Sequence, residues 1–191
     1  IADLMQLWEV CLDDTGLTND DMQALYSLNA IRTISVPNNR ITSLAGLSKA
    51  PDLFALILDG NAIEDFSGLQ ESTAVAQLRL VNTGLHSLEP LIGSRVGATM
   101  DFLAIDRNDL TDLTPVAQFP NLMTLALGMK DVPLDLSALS GLRLENLQIY
   151  DTPLSSLSFL TGLPRLKALF VGGCGVTSDM LPEIGVLHEL T

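Results

Sequence analysis

The sequence predicts an α/β solenoid: a curved right-handed superhelix with a parallel concave sheet, turns and 3₁₀ pieces on the convex side, and a helical N-terminal cap. Three observations predict it. An apolar pattern recurs at a fixed spacing of 22 residues over most of the chain. Within each copy the apolar positions alternate with period two, the mark of a short strand with one buried face. A polar position then recurs at one fixed place after each strand, where buried backbone groups need a partner.

The first copy is "IRTISVPNNRITSLAGL", Ile31 to Leu47, with apolar Ile31, Ile34, Val36, Ile41, Leu44 and Leu47 around Asn39. "LFALILDGNAIEDFSGL" repeats every one of these positions 22 residues later, around Asn61. "VAQLRLVNTGLHSLEPL" follows after another 22. The fourth copy, from Met100, is delayed by the extra residues of "IGSRVGAT". Further copies start near residues 122, 144 and 166, which makes seven over a repeat region of residues 30–191. One such strand cannot bury its apolar face alone, so neighbouring copies must stack edge to edge. The return path in a 22-residue unit is too short for a long helix.

The polar position holds Asn39, Asn61, Thr83, Asn108, Lys130, Thr152 and Cys174. Thr and Cys are small, partly polar substitutes for Asn. Lys130 departs from the set, and "DVPLDLSAL" after it is one residue longer, so a local distortion is expected there. Cys174, among the glycines of "ALFVGGCGVTSD", is expected to point inward as a slowly reacting thiol, too far from Cys11 for a disulfide.

Residues 1–29 do not fit this repeat and are expected to form a two-helix cap. Leu4, Met5, Trp8, Cys11 and Leu12 share one helical face. "TNDDMQALYSL" supplies the second helix, with Thr18 at the N-cap and Asp21 three residues on, like a capping box. The acid-rich "DDTGLTNDD" lacks the order of an EF-hand loop, and helix-end chemistry explains it better than calcium does. At the far end "VTSDMLPEIGVLHELT" reads as a helical return, with Met180 to Leu187 as a short cap, or as an end cut short. The start at Ile1 without Met suggests a processed or trimmed piece.

The formal charge of −13, from 23 acidic and 10 basic residues, argues against nucleic acid and against anionic membrane surfaces. No apolar run is long enough to insert into a membrane. A basic or mixed-charge protein partner suits the charge; its identity and the oligomeric state stay open. No zinc pattern, nucleophile elbow or phosphate loop occurs, so no catalytic residue, metal or cofactor is expected and the chain is not read as an enzyme. His86 reads as a solvated loop residue.

Function is therefore expected on the concave face, where the residues between the buried positions point. The middle strand column is Ser35, Ile57, Arg79, Ala104, Ala126, Gln148 and Phe170. Two residues later stand Pro37, Asp59, Val81, Asp106, Gly128, Tyr150 and Gly172; two earlier, the column contains Phe102. Ile57, Asp59, Arg79, Phe102, Asp106, Arg107, Gln148, Tyr150 and Phe170 are the candidate partner-binding residues, because aromatics with Arg are the composition of binding hot spots. The small Thr124, Ala126 and Gly128 would leave a shallow gap between them.

The pattern L-x-x-L-x-L-x-x-N-x-L resembles the leucine-rich repeat, and the joints "KAPDL", "QFPNL" and "GLPRL" resemble its internalin-like and SDS22-like bacterial subclass. That resemblance implies a protein–protein interaction module, secreted or at a bacterial cell surface rather than cytoplasmic. An intracellular SDS22-like regulatory scaffold, or the substrate-recognition part of a larger effector enzyme, are the alternatives.

Overall fold

The structure is a computed structural model and describes residues 6–129 and 134–186. Lys130 and the start of the longer stretch after it lie outside the described residues, as do Leu4, Met5, Leu187, His188 and Leu190.

Among the described residues eight strands form one sheet in the order of the chain: β1 (Glu9–Cys11), β2 (Thr33–Ser35), β3 (Ala55–Ile57), β4 (Gln77–Arg79), β5 (Phe102–Ala104), β6 (Thr124–Leu127), β7 (Asn146–Tyr150) and β8 (Ala168–Gly172). Every neighbouring pair is parallel, and the register keeps equivalent repeat positions side by side: Ile34 faces Leu56, Leu56 faces Leu78, Leu78 faces Leu103. The second apolar set closes the core behind the sheet, with Ile41, Leu44 and Leu47 fully buried. The result is a curved, open solenoid.

The convex side is mostly 3₁₀, at Leu47–Lys49, Glu89–Leu91, Thr114–Gln118, Leu136–Leu139, Ser158–Gly162 and Ser178–Val186. Among the described residues three α-helices interrupt it: α1 (Asn19–Tyr26), α2 (Ser67–Glu71) and α3 (Arg95–Thr99). The insertion "IGSRVGAT" is what makes α3. The Ser94 hydroxyl caps it by accepting from Gly97 N–H, and Gly97 packs against the ring of Phe119. The C-terminal return, expected as a helical cap, is 3₁₀ from Ser178 to Val186, with Pro182 inside it.

The N-terminus corrects the expected two-helix cap. Glu9–Cys11 is not helical; it is β1, paired in parallel with β2. Leu7, Val10, Leu12, Thr15 and Leu17 stand 24 residues before Ile31, Ile34, Val36, Asn39 and Ile41. "LWEVCLDDTGL" is thus another copy, and the same residues also satisfy a helical spacing over so short a stretch. Pairing with β2 decides between the two readings. The longer spacing accommodates α1, which takes the convex position and buries Met22 and Tyr26. Its start is as expected: the Asp21 carboxylate accepts from both the backbone N–H and the hydroxyl of Thr18, at 2.8 Å each, and these bonds hold its carboxyl below the usual value.

Candidate protein-binding surface

The polar ladder fixes the strand exits on which the candidate surface depends. Asn61 Nδ2 donates to the carbonyls of Val36 and Leu58, both at 2.9 Å, while its Oδ1 accepts from Ile41 N–H at 3.0 Å. One side chain thereby ties two successive coils together. Asn108 does the same, donating to Leu80 and Ile105 and accepting from Thr83 N–H and Leu85 N–H. Asn39 reaches back to Leu12, Thr15 and Leu17 of the first coil. Thr83 spends its hydroxyl on Leu80 O within its own coil. Thr152 accepts from Met129 N–H, and the buried Cys174 Sγ lies 3.4 Å from Ile149 O. Cys11 and Cys174 are both free thiols.

The residue before the ladder positions other than Lys130 turns the chain out of the strand in the left-handed region: Asn38, Asn82, Arg107 and Asp151 have φ of 50–55°, and Gly60 and Gly173 about 70°. Asn, Asp and Gly tolerate this conformation. Arg107 does not, and its exposed side chain is held there at a cost of about 1 kcal/mol.

Two groups of the candidate residues come together on the concave face. The first is charged. Arg79 donates through Nε (3.0 Å) and Nη2 (2.6 Å) to Asp59 Oδ2 on the neighbouring strand exit, and Asp59 Oδ1 accepts from Val81 N–H. Arg79 is therefore already engaged. Asp106 stands beside this pair with its Oδ1 buried and without a hydrogen-bond partner. Burial pushes its carboxyl above the usual carboxylate range and Asp59 adds to the rise, while Arg79 and Arg107 oppose it. Arg107 projects next to Asp106.

The second group is aromatic. Tyr150 and Phe170 are 39% and 51% exposed on adjacent strands, with Gln148 facing Phe170 across the pair. Between the groups runs β6 with Thr124 and Ala126, and Ala104 lies before it on β5; the buried Ala104, Ala126 and Gly128 form a floor rather than a hole. An open groove of about 1110 Å³ runs along the strand exits past Gly128, lined by Arg79, Asp106, Arg107, Tyr150 and Asp151 among others. Ile57 and Phe102 are half-buried on β3 and β5 outside its lining.

Among the described residues, no group of three or more His, Cys, Asp or Glu could hold a metal ion. His86 is largely exposed, 3.8 Å from the equally exposed Asp109. No described helix is long and apolar enough to cross a membrane.

Comparison with solved structures supplies the relationship. Internalin C2 from Listeria monocytogenes is 26% identical and superposes with a TM-score of 0.79, over 99% of this chain and 80% of its own. The chain is a leucine-rich-repeat protein of the internalin-like type. An internalin F structure from the same organism (19% identity, TM-score 0.59, 99% of this chain and 67% of that one) shares the fold. So does the leucine-rich-repeat domain of APL1B (14%, TM-score 0.63, 99% and 64%). No protein-family model matches the sequence, and no curated protein does either. Internalin-like leucine-rich-repeat folds generally mediate protein–protein interaction.

Sequence reasoning overlooked one column of this internalin-like sheet. The residue just before each strand is paired sideways: Arg32 N–H and Thr33 N–H both donate to Trp8 O, and Phe54 N–H and Ala55 N–H both donate to Arg32 O. The column runs Trp8, Arg32, Phe54, Ala76, Asp101, Met123, Glu145, Lys167. Trp8, Phe54 and Met123 in it are among the most exposed large apolar side chains. The signal was available in the repeat alignment, one position before the first column read.

Proposed function

We propose that this chain binds a protein partner across its concave face, with Tyr150 and Phe170 as the apolar anchors and Asp106, Arg107 and Gln148 as the polar surround. The observation that carries this reading is the exposure of two aromatic side chains on adjacent parallel strands, with Tyr150 lining the groove. Aromatic anchors at a patch centre dominate binding energy in protein interfaces. Asp59 and Arg79 contribute shape and a neutral wall rather than a free charge, since each already holds the other. The overall charge of −13 suits a partner whose contacting surface is basic or mixed. On its resemblance to internalins we read the chain as secreted or surface-exposed rather than as an intracellular scaffold.

The test is capture of partners by the immobilised chain and by a Tyr150→Ala/Phe170→Ala variant, followed by affinity measurement on whatever is captured. Loss of the two anchors should weaken a specific partner by 30-fold or more, on the order of 2 kcal/mol. A partner held equally by both forms, or captured only through the convex side, sinks the reading.

A further inference from the structure

A second surface lies at the other edge of the sheet, at the opposite end of the solenoid. Trp8, Arg32 and Phe54 occupy the pre-strand column on β1, β2 and β3. The register puts Glu9 beside Thr33 and Thr33 beside Ala55, so the three preceding residues are lateral neighbours at strand spacing. Trp8 is 59% and Phe54 42% exposed, and Arg32 stands between them. Together with Thr33, Asp52 and Ala74 they line a shallow cavity of about 330 Å³.

What marks this trio is what Arg32 lacks. In the same column, Lys167 meets Glu145 on the next strand at 2.9 Å, so charges there pair laterally when a complementary neighbour is present. Arg32 has an aromatic on each side. Among the described residues its side chain makes no hydrogen bond and no ion pair, and Asp52 lines the same cavity without pairing with it. Asp59 restrains Arg79 through two bonds; nothing comparable restrains Arg32. In a chain with more than twice as many acidic as basic residues, a guanidinium without a partner among the described residues stands between two exposed rings.

We propose that this surface takes an acidic residue flanked by apolar side chains, presented by a protein partner. The carboxylate docks on the Arg32 guanidinium in the two-pronged geometry that pairing favours, and the flanking apolar groups rest against Trp8 and Phe54. The chemistry is the opposite of that proposed for the concave groove, so the two surfaces read different segments. At about 4.8 Å per strand, Trp8 and Tyr150 lie on the order of 30 Å apart along the stack. The proposal does not depend on the concave reading.

A random dodecapeptide library displayed on phage, selected on the whole chain, tests it. Three selections run in parallel: wild type, Arg32→Gln/Phe54→Ala, and Tyr150→Ala/Phe170→Ala. All four positions are exposed or on the surface, and circular dichroism checks that each variant folds. Peptides kept by the wild type and the concave variant but lost by the Arg32/Phe54 variant should carry Asp or Glu next to an apolar residue. Trp8 is the chain's only tryptophan, so its fluorescence reports binding at this patch directly. The synthetic peptide should change Trp8 emission saturably, and its Glu→Gln counterpart should bind at least tenfold more weakly. No patch-dependent peptides, patch-dependent peptides without a carboxylate, or equal binding of the Glu and Gln forms would each overturn the proposal.

Discussion

Tyr150 is seated between two glycines. A Cβ on Gly128 would stand 2.5 Å from the Tyr150 carbonyl oxygen, and one on Gly172 would stand 3.1 Å from Cδ1 of its ring. The two substitutions therefore have different consequences. Gly128→Ala sets a side chain against backbone, which has little room to move, and should cost about 2 kcal/mol or more of stability. Gly172→Ala meets only a ring edge that can tilt. It should leave the melting temperature within a few degrees while weakening partner binding, because it re-aims an anchor. Thermal unfolding and affinity measured on both variants check this; equal melting temperatures for the two would contradict it.

Arg107 holds a backbone conformation that its neighbours in the same column satisfy with Asn38 and Asn82. Arg107→Asn should stabilise the fold by about 1 kcal/mol, the strain released. If the strained Arg is kept for binding, the same variant should bind its partner less well. Denaturant unfolding supplies the first number and the partner affinity the second. A variant neither more stable nor weaker in binding would remove Arg107 from the proposed surface.

Asn108 serves two coils at once, so its loss is expensive. Asn108→Ala strands Thr83 N–H, Leu85 N–H and the carbonyl of Ile105 in the interior, while Leu80 O keeps the Thr83 hydroxyl. At about 1–3 kcal/mol for each buried group left unpaired, and without full additivity, the expected loss is about 4 kcal/mol. Thr83→Ala removes only a hydroxyl and should cost about 1 kcal/mol. A loss at Asn108 no larger than that at Thr83 would show that water replaces the amide freely.

Asp106 gives the fold a pH dependence of known sign. Burial raises its carboxyl in the folded state, so the folded chain holds that proton more tightly than the unfolded one. Its stabilising contribution is complete below the unfolded value and is lost as pH rises through the folded one. Asp106→Asn cannot titrate and should gain on the wild type as pH climbs from about 3 to 7. Asp21, Asp65 and Asp135, whose carboxyls are lowered, act in the opposite sense but equally in both proteins. Parallel stability curves for wild type and variant would refute this.

The stacked core was legible because each copy restates it: a doubtful leucine in one coil is settled by its counterparts in the others. Redundancy also placed Cys174 inward, since Asn39, Asn61 and Asn108 stand at the same position. The first coil escaped notice where that redundancy ran out. Its spacing is 24 rather than 22, and α1 fills the place of a turn. The concave columns followed from strand alternation, but what they do to one another did not. The Arg79–Asp59 bond links different columns of adjacent strands, and the seat of Tyr150 depends on glycines one strand away on each side. Trp8, Arg32 and Phe54 were missed because they stand just before the strands, where two N–H groups share one carbonyl and simple alternation does not apply.

The amide ladder also grades the molecule mechanically. Asn39, Asn61 and Asn108 each rivet their coil to the one before, whereas Thr83 bonds to Leu80 of its own coil and to Asn108 of the next, Thr152 offers one bond backward, and Cys174 a single weak sulfur contact. A stack whose units touch only their neighbours yields at its weakest joint. Stretched from its two ends, as in single-molecule force spectroscopy, the chain should shed its last coils at low load and keep the amide-riveted first three as the final, stiffest remnant. Of the two proposed surfaces, Tyr150 and Phe170 therefore ride on the compliant end, and Trp8, Arg32 and Phe54 on the stiff one.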